Sequence, residues 1–233
     1  MEIDKIYNCD CIDFMKSMPD NSIDFILTDP PFEFTPHGGG TSELAKRARD
    51  TRDRIDFIAN GFDMDACFSE FLRICKIPNM MIFCSNLQIG RIMTWFENKG
   101  LTSTLLIWQK SNPAPLGNMN YISECEFIVY VHTKGSCFNA DVPLEWKKKI
   151  YTSPICPDGK LHPTQKSVEH LRRYLLVHSK PNDIVFDPFI GSGTTAVACM
   201  KEHRHFVGCE IDKKYFDIAN KRIDLEKRQL SLF

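Results

Sequence analysis

Short apolar and β-branched runs alternate with longer amphipathic stretches along most of this chain, and this alternation restricts its fold more than any other feature. The pattern predicts six helices, at 11–18, 65–77, 87–99, 166–179, 194–201 and 213–229. It predicts seven strands, at 2–7, 24–28, 80–84, 105–108, 127–132, 184–186 and 206–209. Strands that alternate with helices form mostly parallel sheets covered on both faces. We therefore expect an α/β fold with a doubly wound, mostly parallel, seven-stranded sheet in a single domain spanning 1–233.

Two segments depart from the alternation. Residues 33–63 contain three consecutive glycines and then a basic cluster, which predicts a mobile basic loop. Residues 109–165 are rich in proline, asparagine and glycine, which predicts an irregular insertion. The basic cluster, in which five basic residues face two acidic ones, consists of Lys46, Arg47, Arg49, Arg52 and Arg54.

Composition excludes several classes of protein. The chain is 43% hydrophobic, enough for a buried core, and it has no run of 18 apolar residues and no basic-apolar leader. We expect no membrane association and a cytoplasmic location, in a prokaryotic cell or in the host of a phage. The ten cysteines include no C-x-x-C pair, so reduced thiols are expected and a metal site is not. Because the net charge is only −1, a polyanionic partner must meet a local basic patch.

A glycine-rich turn follows the strand predicted at 184–186, in the stretch DIVFDPFIGSGTTAVACM (183–200). Gly191, Gly193 and Ala196 satisfy G-x-G-x-x-A, and the next strand runs into Glu210, 19 residues after Gly191. Such a turn lets a ligand approach the backbone, and the acid can accept from ribose hydroxyls. Only 23 residues follow Glu210, too few for the second half of a dinucleotide fold. A cofactor with one nucleoside is therefore expected, not NAD.

A second acidic turn ends the strand at 24–28, within DFILTDPPF (24–32). Asp29 is followed there by two prolines and an aromatic ring, and the strand at 184–186 is followed by Asp187-Pro188-Phe189. In doubly wound sheets, ligands bind at the carboxyl ends of strands. Both turns are therefore predicted to belong to one site.

These motifs resemble those of the S-adenosylmethionine-dependent amino-methyltransferases that modify exocyclic amines of DNA bases. TDPPF (28–32) precedes DPFIGSGTT (187–195), which is the permuted order of the β group of these enzymes. Further matches cover nearly the whole chain: HPTQK (162–166), NCDC (8–11), GCEIDKKYF (208–216) and, more weakly, WQKSNPAP (108–115) with ECEFIVYVHTKG (124–135). The resemblance implies a Rossmann-like methyltransferase fold with S-adenosylmethionine as the cofactor.

The resemblance implies that Asp29, Pro30, Pro31 and Phe32 are catalytic, and elementary chemistry agrees. The amino nitrogen of adenine or cytosine shares its lone pair with the ring, so a site must hold it in line and accept its hydrogens. Asp29 and the Pro30 carbonyl supply acceptors, and Phe32, where tyrosine is commoner, stacks on a base flipped from the duplex. Whether Asp29 takes the proton or only accepts a hydrogen bond stays open.

The resemblance also implies how the cofactor is held. Asp187 would meet its methionine amino group, with Thr164 and Lys166 near its carboxylate. Glu210 would hold the ribose. Asp10 would accept from the adenine amine, although it could equally cap the helix that follows. Phe189 and Ile211 would pack near the adenine ring. The other expected cofactor-binding residues are Cys11, His162, Pro188, Gly191, Ser192, Gly193 and Thr194. His162 and Lys166 could instead be only a turn residue and a solvated helix start.

Double-stranded DNA is the partner that the resemblance implies. The basic cluster at 46–54 has the composition of a phosphate-binding loop, and Lys147 and Lys148 are a second candidate. Residues 109–165 would be the target-recognition insertion, with reading groups among Asn112, Asn118, Asn120 and Tyr121. Because this insertion is short, we expect a short target site or a second subunit, as in a homodimer.

Alternatives stay open at the sequence level. Relatives that act on cytosine N4 more often carry serine before the two prolines, so Asp29 favours adenine N6. Structured RNA is another substrate, and a non-catalytic nucleic-acid-binding module is another class of function.

Overall fold

The computed structural model describes residues 1–30, 62–113, 121–155 and 166–230. Its strands are β1 (Lys5–Tyr7), β2 (Phe25–Thr28), β3 (Asn79–Cys84), β4 (Thr102–Lys110), β5 (Cys125–His132), β6 (Ile150–Ser153), β7 (Ile184–Asp187) and β8 (His205–Cys209). Its helices are α1 (Cys11–Ser17), α2 (Met64–Ile74), α3 (Ile89–Glu97), α4 (Val168–His178), α5 (Thr194–Lys201) and α6 (Lys213–Leu230). A 3-10 turn covers Leu144–Lys147. All six predicted helices and all seven predicted strands are present.

One sheet of eight strands, in the order β1-β8-β7-β2-β3-β5-β4-β6, forms the centre of the molecule. Pairing is parallel from β1 through β3, and β5 runs antiparallel to both of its neighbours. From β7 the chain crosses outward to β8, whereas from β2 it crosses the other way to β3. The switch point, where a doubly wound sheet opens a crevice, therefore lies between β7 and β2. The mostly parallel α/β fold is confirmed.

Both faces of the sheet are buried, because side chains alternate along each strand. On one face, Ile26, Met80 and Ile82 pack with buried residues of α1, α2 and α3. On the other face, Phe25 and Met81 pack with buried residues of α4, α5 and α6. The nine described cysteines are free, and six of them are buried. No helix in the described ranges is long and apolar enough to cross a membrane.

The number of strands is a correction: the sheet has eight, not seven, because β6 adds an edge strand parallel to β4. β6 lies in the segment 109–165, which was expected to be irregular, and β5 lies there too. β6 is short and half exposed, so its sequence carries little hydrophobic pattern. The indole nitrogen of Trp108 donates to Ser153 Oγ at 2.8 Å and fastens it. The predicted insertion is thus partly sheet.

Ser167 caps the start of helix α4. Its hydroxyl accepts a hydrogen bond from the His170 amide at 3.2 Å. A serine in this position satisfies one of the free amides of the first turn. Ser167 therefore fixes the start of α4, directly after Lys166.

Candidate active site

The glycine-rich turn between β7 and α5 requires glycine at two positions. Gly191 and Gly193 have φ of 56° and 80°, in the left-handed region. At Gly193, which precedes α5, a Cβ atom would lie 3.1 Å from the Cβ of Ala219 on α6. These glycines therefore allow a tight turn and a close helix contact, and the turn presents the first amides of α5 at the sheet edge.

Glu210 follows β8 and lies against this turn. Its Oε2 accepts from the Gly191 amide at 3.0 Å, and its Oε1 accepts from the Asp212 amide at 2.8 Å. Burial raises the pKa of Glu210 above its ordinary value, opposed by these amides. Each carboxylate oxygen can accept more than one hydrogen bond. Glu210 is thus fixed beside the glycine turn with acceptor capacity left, as its predicted ribose role requires.

The NCDC segment lies beside Glu210, since β1 pairs with β8. Asn8 Nδ2 donates to the carbonyls of Glu210 and Ile211, at 2.8 and 3.1 Å. Asp10 caps α1, with Oδ1 accepting from the amides of Ile12 and Asp13. The capping alternative for Asp10 is therefore present, and its adenine contact stays a prediction. Cys11, the first residue of α1, is buried.

Two apolar side chains border this edge. Ile211 is 60% exposed, which is unusual for a residue next to a core strand. Phe189 is partly buried, and its ring meets that of Phe62 edge-on, with centroids 5.2 Å apart. Both lie in the segments that flank the glycine turn.

At the start of α5, Arg222 of α6 donates to Thr194 Oγ1 at 3.0 Å and to the Ser192 carbonyl at 3.3 Å.

Asp187, the last residue of β7, is 4% exposed, and its hydrogen-bond donors within the described ranges are all neutral. Thr195 Oγ1 donates to its Oδ2 at 2.5 Å. Thr28 Oγ1 and the Phe189 amide donate to its Oδ1, at 2.9 and 3.1 Å. Burial raises the pKa of Asp187 to about 7, and the hydrogen bonds from Thr195, Phe189 and Thr28 offset only part of that rise. Pro188, which follows it, is also buried.

Asp29 follows β2, the strand adjacent to β7, and its environment is charged. The Lys166 ammonium lies 2.6 Å from Asp29 Oδ2 and 3.0 Å from Glu126 Oε2. Glu126 Oε1 in turn lies 2.9 Å from the ammonium of Lys110. Asp29 Oδ1 is buried and has no hydrogen-bond partner among the described residues. We call these four residues the Asp29 cluster.

Burial and charge oppose each other within the Asp29 cluster. Burial raises the pKa of Asp29, and the ammonium of Lys166 counteracts part of that rise. Burial would also raise the pKa of Glu126, but Lys166 and Lys110 outweigh it and hold that pKa at about 2. Burial disfavours the Lys166 ammonium, but the two carboxylates outweigh it and raise its pKa. Lys166 therefore stays positive at neutral pH.

Several residues predicted for the site lie outside the described ranges. These are Pro31, Phe32, His162 and Thr164, the reading groups Asn118 and Asn120, and the basic cluster Lys46, Arg47, Arg49, Arg52 and Arg54. The other residues predicted to be catalytic or to bind the cofactor lie in the segments at the carboxyl edge of the sheet. Pro30, directly after Asp29, is buried there.

Lys147 and Lys148 lie elsewhere, on the face covered by α4. Lys147 donates to the Ala140 carbonyl at 2.6 Å, and Lys148 pairs with Glu145 at 2.8 Å. Both border a cavity of about 370 Å³ whose lining includes none of the cofactor-binding or catalytic residues predicted at the sheet edge. Their proposed contact with DNA stays a prediction.

The sequence analysis did not identify Glu126 and Lys110 as site residues. The Lys166 ammonium contacts Asp29 and Glu126, and its expected contact with the cofactor carboxylate stays a prediction. In the sequence, Glu126 is an acid inside the strand, directly before its apolar run 127–131. The position of Glu126 can be interpreted only when the direction of β5 is known. Because β5 runs antiparallel to β3, the first residues of β5 lie at the carboxyl end of β3.

Comparisons with known proteins agree with this geometry. The chain is 27% identical to the type II methyltransferase M.HinfI of Haemophilus influenzae, over 95% of this chain and 68% of that protein. It is also 27% identical to M2.LlaDCHI of Lactococcus lactis subsp. cremoris, over 94% of this chain and 88% of that type II methyltransferase.

Solved structures of similar fold include the complex of M1.HpyAVI with SAM, which has a TM-score of 0.70 and 30% identity over 94% of this chain and 98% of that one. The cytosine-N4-specific PvuII methyltransferase has a TM-score of 0.71, and at 14% identity over 97% and 92% of the chains it shows the shared fold alone. The N6/N4 methyltransferase family model, described as DNA methylase, matches residues 23–221. This chain therefore belongs to the N6/N4 family of DNA methylases.

Proposed function

We propose that this protein is a site-specific DNA methyltransferase that moves a methyl group from S-adenosylmethionine to the exocyclic N6 of a flipped-out adenine. The observation that carries the proposal is that two aspartates, Asp29 and Asp187, lie side by side at the switch point, at the carboxyl ends of β2 and β7. Asp29 and Asp187 end adjacent strands, and Thr28 Oγ1 donates to Asp187 Oδ1 at 2.9 Å between them. One carboxylate serves the cofactor and the other serves the base.

The described residues fit S-adenosylmethionine. The cofactor's methionine part carries an ammonium, and Asp187 is a buried carboxylate that accepts from neutral donors, the hydroxyls of Thr28 and Thr195 and the Phe189 amide. A cation there would restore the ionised form that burial disfavours. Gly191 and Gly193 leave room for a ligand against the backbone, and Glu210 has acceptor capacity for a ribose. When bound, the cofactor supplies a methyl group on a positively charged sulfur.

Asp29 supplies an acceptor for the amine that receives the methyl group. Its Oδ2 is engaged by Lys166, and its Oδ1 is the buried acceptor that points to a further ligand. An amino hydrogen bonded to Oδ1 gives electron density back to nitrogen, which makes that nitrogen a better nucleophile. In the transfer, the amine nitrogen would bond to the methyl carbon while the carbon–sulfur bond breaks and leaves its electrons on sulfur. The amine would then release one proton, either to Asp29 Oδ1 or to water.

Adenine is favoured over cytosine by Asp29 itself, since N4-cytosine relatives more often carry serine at this position. The domain assignments are also proposals. Residues 1–233 form one catalytic domain, the basic loop 33–63 contacts DNA phosphates, and the parts of 109–165 outside β4, β5 and β6 read the target. Because M.HinfI and M2.LlaDCHI are type II methyltransferases, we extend a role in restriction–modification to this chain as part of the same proposal.

Incubation of the purified protein with unmethylated genomic DNA and S-adenosylmethionine, followed by nucleoside mass spectrometry, tests the proposal. We expect N6-methyladenine to accumulate in proportion to enzyme and time. N4-methylcytosine in its place would keep the fold and the chemistry but overturn the assignment of the base. Neither product, with cofactor binding intact and a second incubation with RNA also negative, would refute the proposed activity.

A further inference from the structure

The Asp29 cluster contains more charge than the transfer chemistry needs. A single buried ammonium lies between two carboxylates, and a second ammonium neutralises the outer one. The Lys166 side chain is only 6% exposed. Burying charged groups is costly unless they are paired with good geometry, so a buried chain of four charges calls for a role.

The four residues come from four different parts of the chain. Asp29 follows β2, Glu126 is on β5, Lys110 ends β4 and Lys166 precedes the Ser167 cap of α4. The cluster therefore joins the catalytic turn to the far half of the sheet. Lys166 contacts one oxygen of Asp29 and leaves the other, Oδ1, without a partner in the described ranges. That asymmetry fixes which oxygen can meet a ligand.

We propose that Lys166 is a positioning residue for methyl transfer. Its ammonium binds Asp29 through Oδ2, keeps the carboxylate ionised and directs Oδ1 at the base amine. Glu126 sets how strongly the Lys166 ammonium attracts the Asp29 carboxylate. This inference deepens the proposed function and rests on it. It assigns Lys166 a role toward the base in place of the expected role toward the cofactor carboxylate. Glu126 shares the ammonium with Asp29, so Asp29 retains more negative charge to share with the amine.

The pH dependence follows from the groups that face Asp29 and Lys166. Lys166 lowers the pKa of Asp29, and Glu126 raises it. Removing Lys166 should therefore raise the pKa of Asp29, whereas removing the charge of Glu126 should lower it. The two variants move the same titration in opposite directions. The other titratable groups around the pair are Asp187 on β7, Cys84 on β3, Lys110 on β4 and His170 and Tyr174 on α4.

The experiment compares wild type, Lys166→Met, Lys166→Arg and Glu126→Gln. For each, kcat is measured against pH at saturating cofactor and DNA, where cofactor binding occupies Asp187 and its titration does not contribute. We expect Lys166→Met to lower kcat about 10- to 100-fold, with the KM for S-adenosylmethionine unchanged. The acid limb of the kcat–pH profile should move to higher pH in Lys166→Met and to lower pH in Glu126→Gln. Lys166→Arg should recover part of the lost kcat.

A second readout does not depend on activity. Carbon-13 NMR of the Asp29 carboxyl, assigned by its loss in Asp29→Asn, gives the pKa of Asp29 in each variant. Lys76→Met is the matched control, because Lys76 also pairs with an aspartate, Asp24, at 2.8 Å but is half exposed. It should change neither kcat nor the Asp29 titration. If Lys166→Met fails to fold, Glu126→Gln still tests the proposal, because the pKa of Asp29 should fall in that variant.

Three results would overturn the inference. One is a rise in the KM for S-adenosylmethionine with kcat unchanged in Lys166→Met, which would return Lys166 to the cofactor. Another is an Asp29 pKa that moves the same way, or not at all, in Lys166→Met and Glu126→Gln. The last is a pair of opposite shifts in the pKa of Asp29, in Lys166→Met and Glu126→Gln, with kcat unchanged in both variants. If wild type transfers no methyl group although the NMR shifts are opposite, the proposed function fails while the charge coupling stands.

Discussion

Two aspartates end adjacent strands of this sheet, and they are held in opposite ways. Asp29 is held by an ammonium within a chain of four charges, whereas Asp187 is held by two hydroxyls and an amide. Burial raises the pKa of both carboxyls. Among the described residues, a cation opposes the rise at Asp29, whereas neutral hydrogen-bond donors oppose it at Asp187. Each carboxylate is thus complementary to a different ligand.

The difference teaches how one sheet edge can serve two ligands. An aspartate that is to receive a neutral amine must be kept ionised by the protein, and Lys166 does this for Asp29. An aspartate that is to receive a cation can be left without one, because the ligand restores its charge. We therefore propose that Asp187 binds the cofactor's ammonium and that Asp29 binds the base. The following predictions try to break that division.

The largest effect is expected for Asp29→Ala. Removing the acceptor should reduce methyl transfer about 1000-fold or more, because the amine loses the group that activates it. The dissociation constant of S-adenosylmethionine should change less than about threefold, measured by calorimetry. Asp20→Ala, which alters an exposed carboxylate, is the matched control. Loss of cofactor binding in a folded Asp29→Ala protein would break the division of labour.

The converse substitution is Asp187→Asn. The cofactor's ammonium loses its counter-charge, so the dissociation constant should rise about 10- to 100-fold, as expected for a charged hydrogen bond. At saturating cofactor, transfer should recover most of the wild-type rate. A dissociation constant unchanged from wild type would show that Asp187 does not bind the ammonium.

The pH dependence of cofactor binding sharpens the comparison. Since the pKa of Asp187 is raised to about 7, the carboxylate is lost as the pH falls through that value. Affinity should drop about tenfold from about pH 7.5 to about pH 6, and Asp187→Asn should show no such drop. Isothermal titration at both pH values measures this. A flat wild-type profile would mean that Asp187 is already ionised without the cofactor.

The free protein should respond with the opposite sign. The folded state keeps the Asp187 proton up to about pH 7, while the unfolded chain releases it near the ordinary value. Because the folded state then binds more protons, its stability falls as the pH rises through this window. Asp187→Asn should remove this decline and unfold at a higher temperature than wild type at about pH 8. Identical slopes for both proteins would contradict the raised pKa.

The smallest effect is expected for Thr195→Val. This removes the hydroxyl that donates to Asp187 Oδ2 and should reduce the free energy of unfolding by about 1 kcal/mol. The pKa of Asp187 should rise further, so the fall in cofactor affinity should begin at a higher pH. Thr152→Val, on the exposed edge strand β6, should stay within about 0.5 kcal/mol of wild type in urea denaturation. Equal losses in both variants would argue against a special role for the Thr195 bond.

The sequence could predict the fold and the two acidic turns, because strand–helix alternation and the residues after each strand are local features. It could not predict β6, whose edge position buries little and leaves no apolar pattern. It also could not predict the Asp29 cluster. Glu126 reaches the site only because β5 is reversed, and strand direction depends on how distant segments pair. The sequence identified Lys166 as a site residue, but its contact with Glu126 depends on the same reversed pairing of β5.

A crystal structure with S-adenosylhomocysteine, the product form of the cofactor, tests the division between the two aspartates most directly. We expect the amino group of the ligand about 2.7–3.0 Å from the Asp187 carboxylate, with the Lys166–Asp29 ion pair intact. The ribose should lie at Glu210. A ligand carboxylate bound to Lys166, with Asp29 released from it, would contradict the account and return Lys166 to cofactor binding.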